Sequence, residues 1–407
     1  MSASLSHPVP QPDPQSAQAS PSSRPAGPLR AGVPQATLLV ALSTLSVLGA
    51  VLIAPVQPSI ARAFAGQPGV DALVPLTLTV PALAIALLAP AAGRVVDRIG
   101  RVRVLTGSLV LYALVGTAPL WLDSLPAIVV SRALVGIAEA GIMTCCTTLL
   151  GDLFEGQRRH RYFGLQTIAT SLSAVVFIAA GGALAAHHWR TPFWLYAVGV
   201  VGAVLVPVLL REPVAVQSGP LPRLHRRALR TPLLVTLVGG VVFYTPIVEL
   251  SFALDRLGVE STATIGGVSA AAAVATCLGA ASFTRLVRRG AGSLLPVAFG
   301  LAGVGLVVVA LAASVPVLLA GAAVASAGTG LLLPALLTWA LGGTATDQRG
   351  RVTGWWTSAL FAGEFVCPLL VLALTGALGG LSAALGVVAA LSIVLAAVLL
   401  RAGHRQG

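Results

Sequence analysis

Between positions 36 and 400 the chain alternates apolar stretches of about twenty residues with short polar, glycine- or proline-bearing punctuations. Twelve such stretches stand out, at about 36–60, 73–92, 104–122, 125–149, 163–186, 191–210, 232–253, 264–283, 294–313, 316–341, 352–376 and 380–400. At about 1.5 Å per residue, a helix of this length crosses a hydrocarbon layer of about 30 Å. Backbone N–H and C=O groups find no water in lipid, so a spanning segment satisfies them internally as a helix or by closing a barrel. Continuous apolar runs of this length predict helices. The expected fold is all-α and integral to a membrane, with twelve transmembrane helices.

Composition agrees with lipid as the main solvent. Only 9% of the 407 residues are charged, 56% are hydrophobic and the mean hydropathy is +0.92, whereas a water-soluble chain carries about 25% charge. Residues 1–35, rich in Pro, Ala, Ser and Gln and without an apolar run, read as a disordered cytoplasmic tail rather than a signal peptide. Cys145, Cys146, Cys277 and Cys367 all lie in apolar segments and read as small packing residues. Neither a disulfide framework, a metal site nor a cofactor is expected.

The net charge of +12, taken alone, points to nucleic acid. The placement of the charge excludes it. With the N-terminus in the cytoplasm, 21 arginines fall in inner segments and only Arg62, Arg190 and Arg256 fall outside, while Arg132 sits within the fourth apolar segment. Such an excess marks the cytoplasmic side of a membrane protein, so both termini are expected there, in a plasma (cytoplasmic) membrane. The widest inner stretch, 211–231, carries five arginines and three prolines. It divides the chain into six helices over 36–210 and six over 232–400, with a short tail at 401–407. Arg161-Tyr162-Phe163-Gly164 with Thr167 opens the fifth segment, and Arg351-Val352-Thr353-Gly354 with Thr357 opens the eleventh. This faint echo fits two pseudo-symmetric six-helix bundles.

The stretch Gly93 to Val104 (GRVVDRIGRVRV) packs one aspartate and four arginines between two apolar segments. Asp97 has local guanidiniums or a helix N-terminus as natural partners. Gly93 permits close helix approach and Gly100 permits a turn. By itself this is a tight basic turn. The pattern Gly93, Asp97, Arg98, Gly100, Arg101 resembles the signature loop of the major facilitator superfamily. The resemblance spans about 36–400 and implies that fold, two six-helix bundles rocking about a central cavity. It also implies that Asp97, Arg98 and Arg101 latch helices of the two halves together, with Gly93 for packing. The equivalent stretch at 282–290 keeps arginines but no aspartate, so the expected latch is one-sided.

Arg132, Gly136 and Glu139 resemble a fourth-helix pattern of the same superfamily that is associated with proton-coupled carriers, although Val135 replaces the usual glutamine. Seven residues apart, Arg132 and Glu139 share one helix face at about 10 Å, too far to touch but suited to a bound substrate, water or partners on other helices. Ionisable groups at mid-membrane are costly and face a cavity or one another. Glu364 lies near mid-depth of the eleventh segment, and Glu249 lies near the outer end of the seventh, where solvation at the interface is the bland reading. Carboxyl groups that alternate between dry and wet surroundings can take up and release protons. Glu139 and Glu364 rank equally as coupling candidates, with Glu249 third. In the fifth segment Gly181-Gly182 matches half of an antiporter pattern, with Phe177-Ile178 in place of its Gly-Pro.

Candidates for contact with a substrate cavity are Arg132, Gln57, Tyr244, Trp339 and Phe361, while Trp121, Trp189 and Trp194 read as an interfacial belt. The resemblance implies a secondary active transporter, not an enzyme. It would move small molecules against protons, most simply as efflux of amphipathic compounds, with an organic-anion or sugar permease as the alternative. A membrane enzyme is disfavoured because the histidines do not cluster within the membrane and no metal-binding motif occurs. The expected partners are a small-molecule substrate, protons and lipid, with no nucleic acid, and the expected state is a monomer.

Overall fold

The computed structural model describes residues 32–212, 226–286, 291–342, 344 and 348–404. Residues 1–31, 213–225 and 405–407, which hold most of the expected N-terminal tail and central linker and the end of the C-terminal tail, lie outside it. So does the side chain of Asp97. Among the described residues, twelve helices are long and apolar enough to span a membrane: α1 Val33–Ala63, α2 Val70–Val96, α3 Arg101–Leu120, α4 Leu125–Leu153, α5 Gly156–Ala185, α6 Thr191–Leu209, α7 Leu229–Arg256, α8 Thr262–Leu286, α9 Ser293–Leu311, α10 Val315–Leu341, α11 Arg349–Leu378 and α12 Leu381–Ala402. Each expected segment falls on one of them, and no strand occurs among the described residues. The helices outrun the apolar runs, most at α5, which starts at Gly156 rather than near 163. Hydropathy marks where lipid begins, whereas Arg158, Arg159 and Arg161 are good helix formers that carry the turn on into water.

The first span is broken. It is helical over Val33–Ser43 and Leu45–Val51, passes through a 3-10 stretch at Ala54–Val56, and resumes over Gln57–Ala63. Pro55 and Pro58 cause the break, because each lacks an N–H and its ring clashes with the carbonyl one turn upstream. The last regular bond before the break runs from Leu52 N–H to Leu48 C=O at 2.9 Å. The next two carbonyls, Gly49 and Ala50, accept side-chain donors from other helices instead, Arg132 of α4 and Tyr244 of α7.

Elsewhere, glycines set how closely helices approach. Van der Waals packing, rather than exclusion from water, holds helices together in lipid, and small residues let backbones come near. Gly136 on α4 lies on the Pro81 backbone of α2, and Gly240 on α7 faces Gly363 on α11. Within the first six helices α4 packs on α2 and α3, and α3 on α6. Within the last six, α9 packs on α10 and α12, α8 on α10, and α7 on α11. Between the two sets, α2 packs on α11 and α5 on α8.

The α5–α8 crossing is glycine on glycine. A Cβ at Gly266 would stand 2.8 Å from the Gly182 Cα, and Gly181 lies on the Leu52 carbonyl of α1. The paired glycines read from the sequence thus fix α5 against both α1 and α8. At the face opposite the Gly93–Val104 loop, Arg62 at the end of α1 pairs with Asp255 at the end of α7 at 3.0 Å. Gly93, by contrast, meets no neighbour: a Cβ there would have nothing within 4 Å. The expected close approach at Gly93 is not made; α11 meets α2 earlier along the helix, where Gly354 faces the Ala89 carbonyl and the Ser358 hydroxyl reaches the Ala86 carbonyl.

Replacing Gly266 with leucine should force α5 and α8 apart, at a cost of about 1–3 kcal/mol typical of overpacking. A lowered thermal midpoint of the purified protein in detergent is the expected result. An unchanged midpoint would mean that the crossing adapts freely.

Candidate functional site

The densest buried polar chemistry lies where α4 meets the broken part of α1. Arg132 is fully buried, with Nη2 2.6 Å from the Tyr196 hydroxyl and 3.5 Å from the Gly49 carbonyl. Its guanidinium lies 4.7 Å from the Tyr196 ring centroid and 5.9 Å from that of Phe193, in cation–π range. Tyr196 and Phe193 enter from the 3-10 stretch Thr191–Ala197 that opens α6. The Tyr196 ring fits over Gly116 of α3, where any Cβ would overlap it, and lies 5.0 Å from the Tyr112 ring. Tyr112 in turn donates to the Leu45 carbonyl of α1 at 2.9 Å.

Glu139, two turns along α4, reaches the same glycine from the other side. Its carboxyl lies against Gly49, where a Cβ would overlap it, and its oxygens have no side-chain partner among the described residues. Arg132 and Glu139 do not touch, as their spacing implies; the Gly49 backbone stands between them. Neither Gly49 nor Tyr196 is marked by the sequence reading. A glycine in an apolar run and a tyrosine near a helix end carry no signal until their partners are known.

The site continues into the second half. The Tyr244 hydroxyl of α7 donates to the Ala50 carbonyl at 2.7 Å, one residue beyond Gly49. Glu364, Glu139 and Arg132 all lie within electrostatic range of that hydroxyl. The Gly240–Gly363 contact brings α11 against α7, and so sets Glu364 beside it. Cys367, one turn on, lies 3.4 Å from the Thr245 hydroxyl and near both Glu364 and Glu249. All four cysteines are free. The result is a polar thread through the protein interior: Arg132 and Glu139 on α4, the Gly49–Ala50 backbone, Tyr244 on α7, then Glu364, Cys367 and Glu249.

Several expectations change on this geometry. Glu249 is not solvated at an interface; it is 6% exposed and faces a small cavity with Thr245, Leu306, Val309, Ala322 and Leu385. Tyr244 is buried and tied to α1. Gln57 is likewise fully buried, with Nε2 3.3 Å from the Thr77 hydroxyl of α2. Trp339 packs partly buried against the core of the second half, and Phe361 is half-buried on α11. Neither joins the thread. Trp121 and Trp194 are largely exposed, as an interfacial belt requires.

The loop at Gly93–Val104 turns at Gly100 and leads directly into α3. Gly100 has φ +104°, a conformation other residues rarely adopt. The Glu212 carboxylate, just past α6, accepts the N–H groups of Arg101 and Val102, the latter at 3.0 Å, and so caps the positive end of α3. The Arg101 guanidinium pairs with Asp152 at the end of α4. These partners of Arg101 all lie on the first six helices, while Arg98 is exposed. A cross-half contact on this side is the Ser358 hydroxyl of α11 on the Ala86 carbonyl of α2.

Twelve candidate spans with glycine-fitted crossings and buried charged groups describe a multi-pass helical membrane protein. Residues 39–315 match the family model of the Major Facilitator Superfamily, and the chain belongs to that superfamily. It is 30% identical over 185 residues to the class C tetracycline resistance protein of Escherichia coli, covering 44% of this chain and 45% of that protein. It is 29% identical over 184 residues to multidrug resistance protein 1 of Bacillus subtilis, covering 44% and 46%. These alignments thus span a little under half of the curated relatives. Among solved structures, a human organic anion transporter (TETRAN) superposes with a TM-score of 0.66 at 19% identity, covering 89% of this chain and 98% of that one. At that identity the likeness shows the fold.

Tyr196→Phe removes the short hydrogen bond to a buried guanidinium. A bond to a charged group contributes about 1.5–3 kcal/mol, so a fall in thermal midpoint is expected, larger than that caused by Trp194→Phe on the exposed side of the same stretch. Equal midpoints for the two variants would show that Arg132 does not depend on that hydroxyl.

Proposed function

We propose that the chain is a proton-coupled secondary active transporter that exports amphipathic, drug-like small molecules by alternating access. It works as a monomer in the plasma membrane, with both termini in the cytoplasm. The observation that carries the reading is the buried thread: ionisable groups from both halves converge on the one interrupted stretch of backbone in α1. The 21-to-3 arginine bias supports the orientation.

Glu139 is the first coupling group. When ionised, its carboxylate is balanced by Arg132 across the Gly49 backbone; when protonated, that balance is lost and Arg132 must rely on Tyr196 and the Gly49 carbonyl. Each proton taken up or released therefore changes what α1 faces. Glu364 is the second. Among the described residues of α7–α12, the arginines lie at helix ends, namely Arg230, Arg256, Arg285, Arg349, Arg351 and Arg401. An ionised Glu364 therefore has no counter-charge at its own depth, and the cost of such a charge is several kcal/mol, on the order of the figures for uncompensated ions. It can ionise when that region opens to water or when a cationic substrate replaces the proton.

Carboxyl groups with apolar walls and no fixed cation suit amphipathic cations. The resistance proteins among the relatives favour efflux. An organic-anion permease would need Arg132 to meet a substrate carboxylate, and in this structure the guanidinium lies buried beneath the Phe193 and Tyr196 rings.

Reconstituted into vesicles with an imposed pH gradient, the protein should drive uphill movement of ethidium. Glu139→Gln and Glu364→Gln should each lose gradient-driven accumulation at least tenfold while keeping downhill exchange. Full gradient-driven transport in both variants would overturn the coupling assignment.

A further inference from the structure

We propose that Tyr244 is the positioning residue that couples the two halves, by holding through the Ala50 carbonyl the same short stretch of α1 that Arg132 and Glu139 hold from the other side. The inference rests on the assignment of Glu139 as a coupling group and adds the path by which its state reaches the second half.

Four observations carry it. First, the carbonyls of Gly49 and Ala50 follow the last regular bond of their helix, so they are acceptors that the break in α1 leaves for other helices. Second, they are consecutive, and their donors come from opposite halves: Arg132 on α4 at 3.5 Å and Tyr244 on α7 at 2.7 Å. The two carbonyls belong to adjacent rigid peptide planes hinged at the Ala50 Cα, so turning one plane changes the Ala50 φ and ψ through which the other is held. Third, Gly49 has no side chain, and a Cβ would overlap the Glu139 carboxyl. The carboxyl therefore bears directly on the backbone rather than through a compliant side chain. Fourth, Tyr244 is 2% exposed, so its hydroxyl must keep a partner or remain buried without one.

The other ties between α1 and the second half among the described residues, which include apolar packing on α7, are of other kinds. Arg62–Asp255 is an exposed ion pair, 48% and 38% exposed on its two sides, and such pairs are weak. Contacts of α1 with α8 near the 3-10 turn are apolar packing. Among the described residues, only the Tyr244 bond is buried, directional and adjacent to a residue that a titrating group touches.

The charged and titratable groups around Glu139 are few. Arg132 stands on its own helix, Tyr112 on α3, Tyr196 on α6 and Tyr244 on α7. The α2 and α5 helices, also packed nearby, bring no titratable side chain at this depth. A pH response at this place therefore has Glu139 as its source, with Glu364 beyond Tyr244 as the group it addresses.

The test follows the two halves directly. Spin labels on Ala65→Cys and Glu260→Cys, exposed positions at the ends of α1 and α7, report the distance between halves by pulsed electron resonance in the full-length protein in nanodiscs, with the part-exposed Cys277 replaced by serine. The expected wild-type result is a shift in the distance distribution between pH 8 and pH 5 that is absent in Glu139→Gln. Tyr244→Phe, with Glu139 intact, should show less than a third of that shift. Phe243→Leu, which loosens the neighbouring position without removing a hydroxyl, should shift like wild type. A full shift in Tyr244→Phe overturns the proposal, and so does an equal loss in Phe243→Leu, which would make packing rather than the bond responsible. A full shift in Glu139→Gln instead overturns the assignment of Glu139 on which the proposal stands.

Discussion

A carbonyl or a charge buried in lipid has no water to fall back on, and in this protein that constraint is concentrated at Gly49 and Ala50 of α1. Prolines 55 and 58 interrupt the helix, two carbonyls lose their regular donors, and two other helices supply replacements. An ordinary spanning helix is closed to its neighbours because its backbone is internally satisfied. A broken one offers polar attachment points, and here they are taken by a fully buried arginine and a buried tyrosine. The position of Glu139 depends on the same place, because only a glycine leaves room for its carboxyl.

The rest of the architecture serves to bring helices close enough for this arrangement. Gly136 seats α4 on α2, Gly116 seats the Tyr196 ring, and Gly240 with Gly363 sets α11 on α7. These positions fix which side chains meet, yet they leave the two sets of helices joined by limited means. Among the described residues, the α2–α11 and α5–α8 contacts, the packing of α1 on α7 and α8, the exposed Arg62–Asp255 pair and the Tyr244 bond lie between the sets. Packing of this kind has discrete arrangements rather than a continuous range, which suits a carrier that alternates between two of them.

The sequence carries the spans clearly, because twenty apolar residues in succession have few alternatives in lipid. It also marks Arg132, Glu139 and Glu364, because a charge in such a run is conspicuous. What it hides is the company they keep. Gly49 is one of 44 glycines, and nothing local distinguishes the one that separates an arginine from a glutamate. Tyr244 reads as a cavity aromatic because its acceptor lies 194 residues away along the chain. Glu249 reads as interfacial by its distance along α7, whereas its burial depends on how α9, α10 and α12 pack around it. In the loop after α2, Gly100 is correctly read as a turn. Glu212, which caps the following helix, lies 111 residues from Arg101 and belongs to a stretch that shows only as polar linker.

The central claim is that a change in the protonation of Glu139 is felt by the α1 backbone. Difference infrared spectroscopy of the reconstituted protein, recorded as the pH is changed, measures both sides of this at once. The account predicts a protonated-carboxyl C=O band that is missing in Glu139→Gln, together with an amide change that appears with the band in wild type and disappears with it in the variant. Superimposable carboxyl and amide changes in wild type and Glu139→Gln would contradict it.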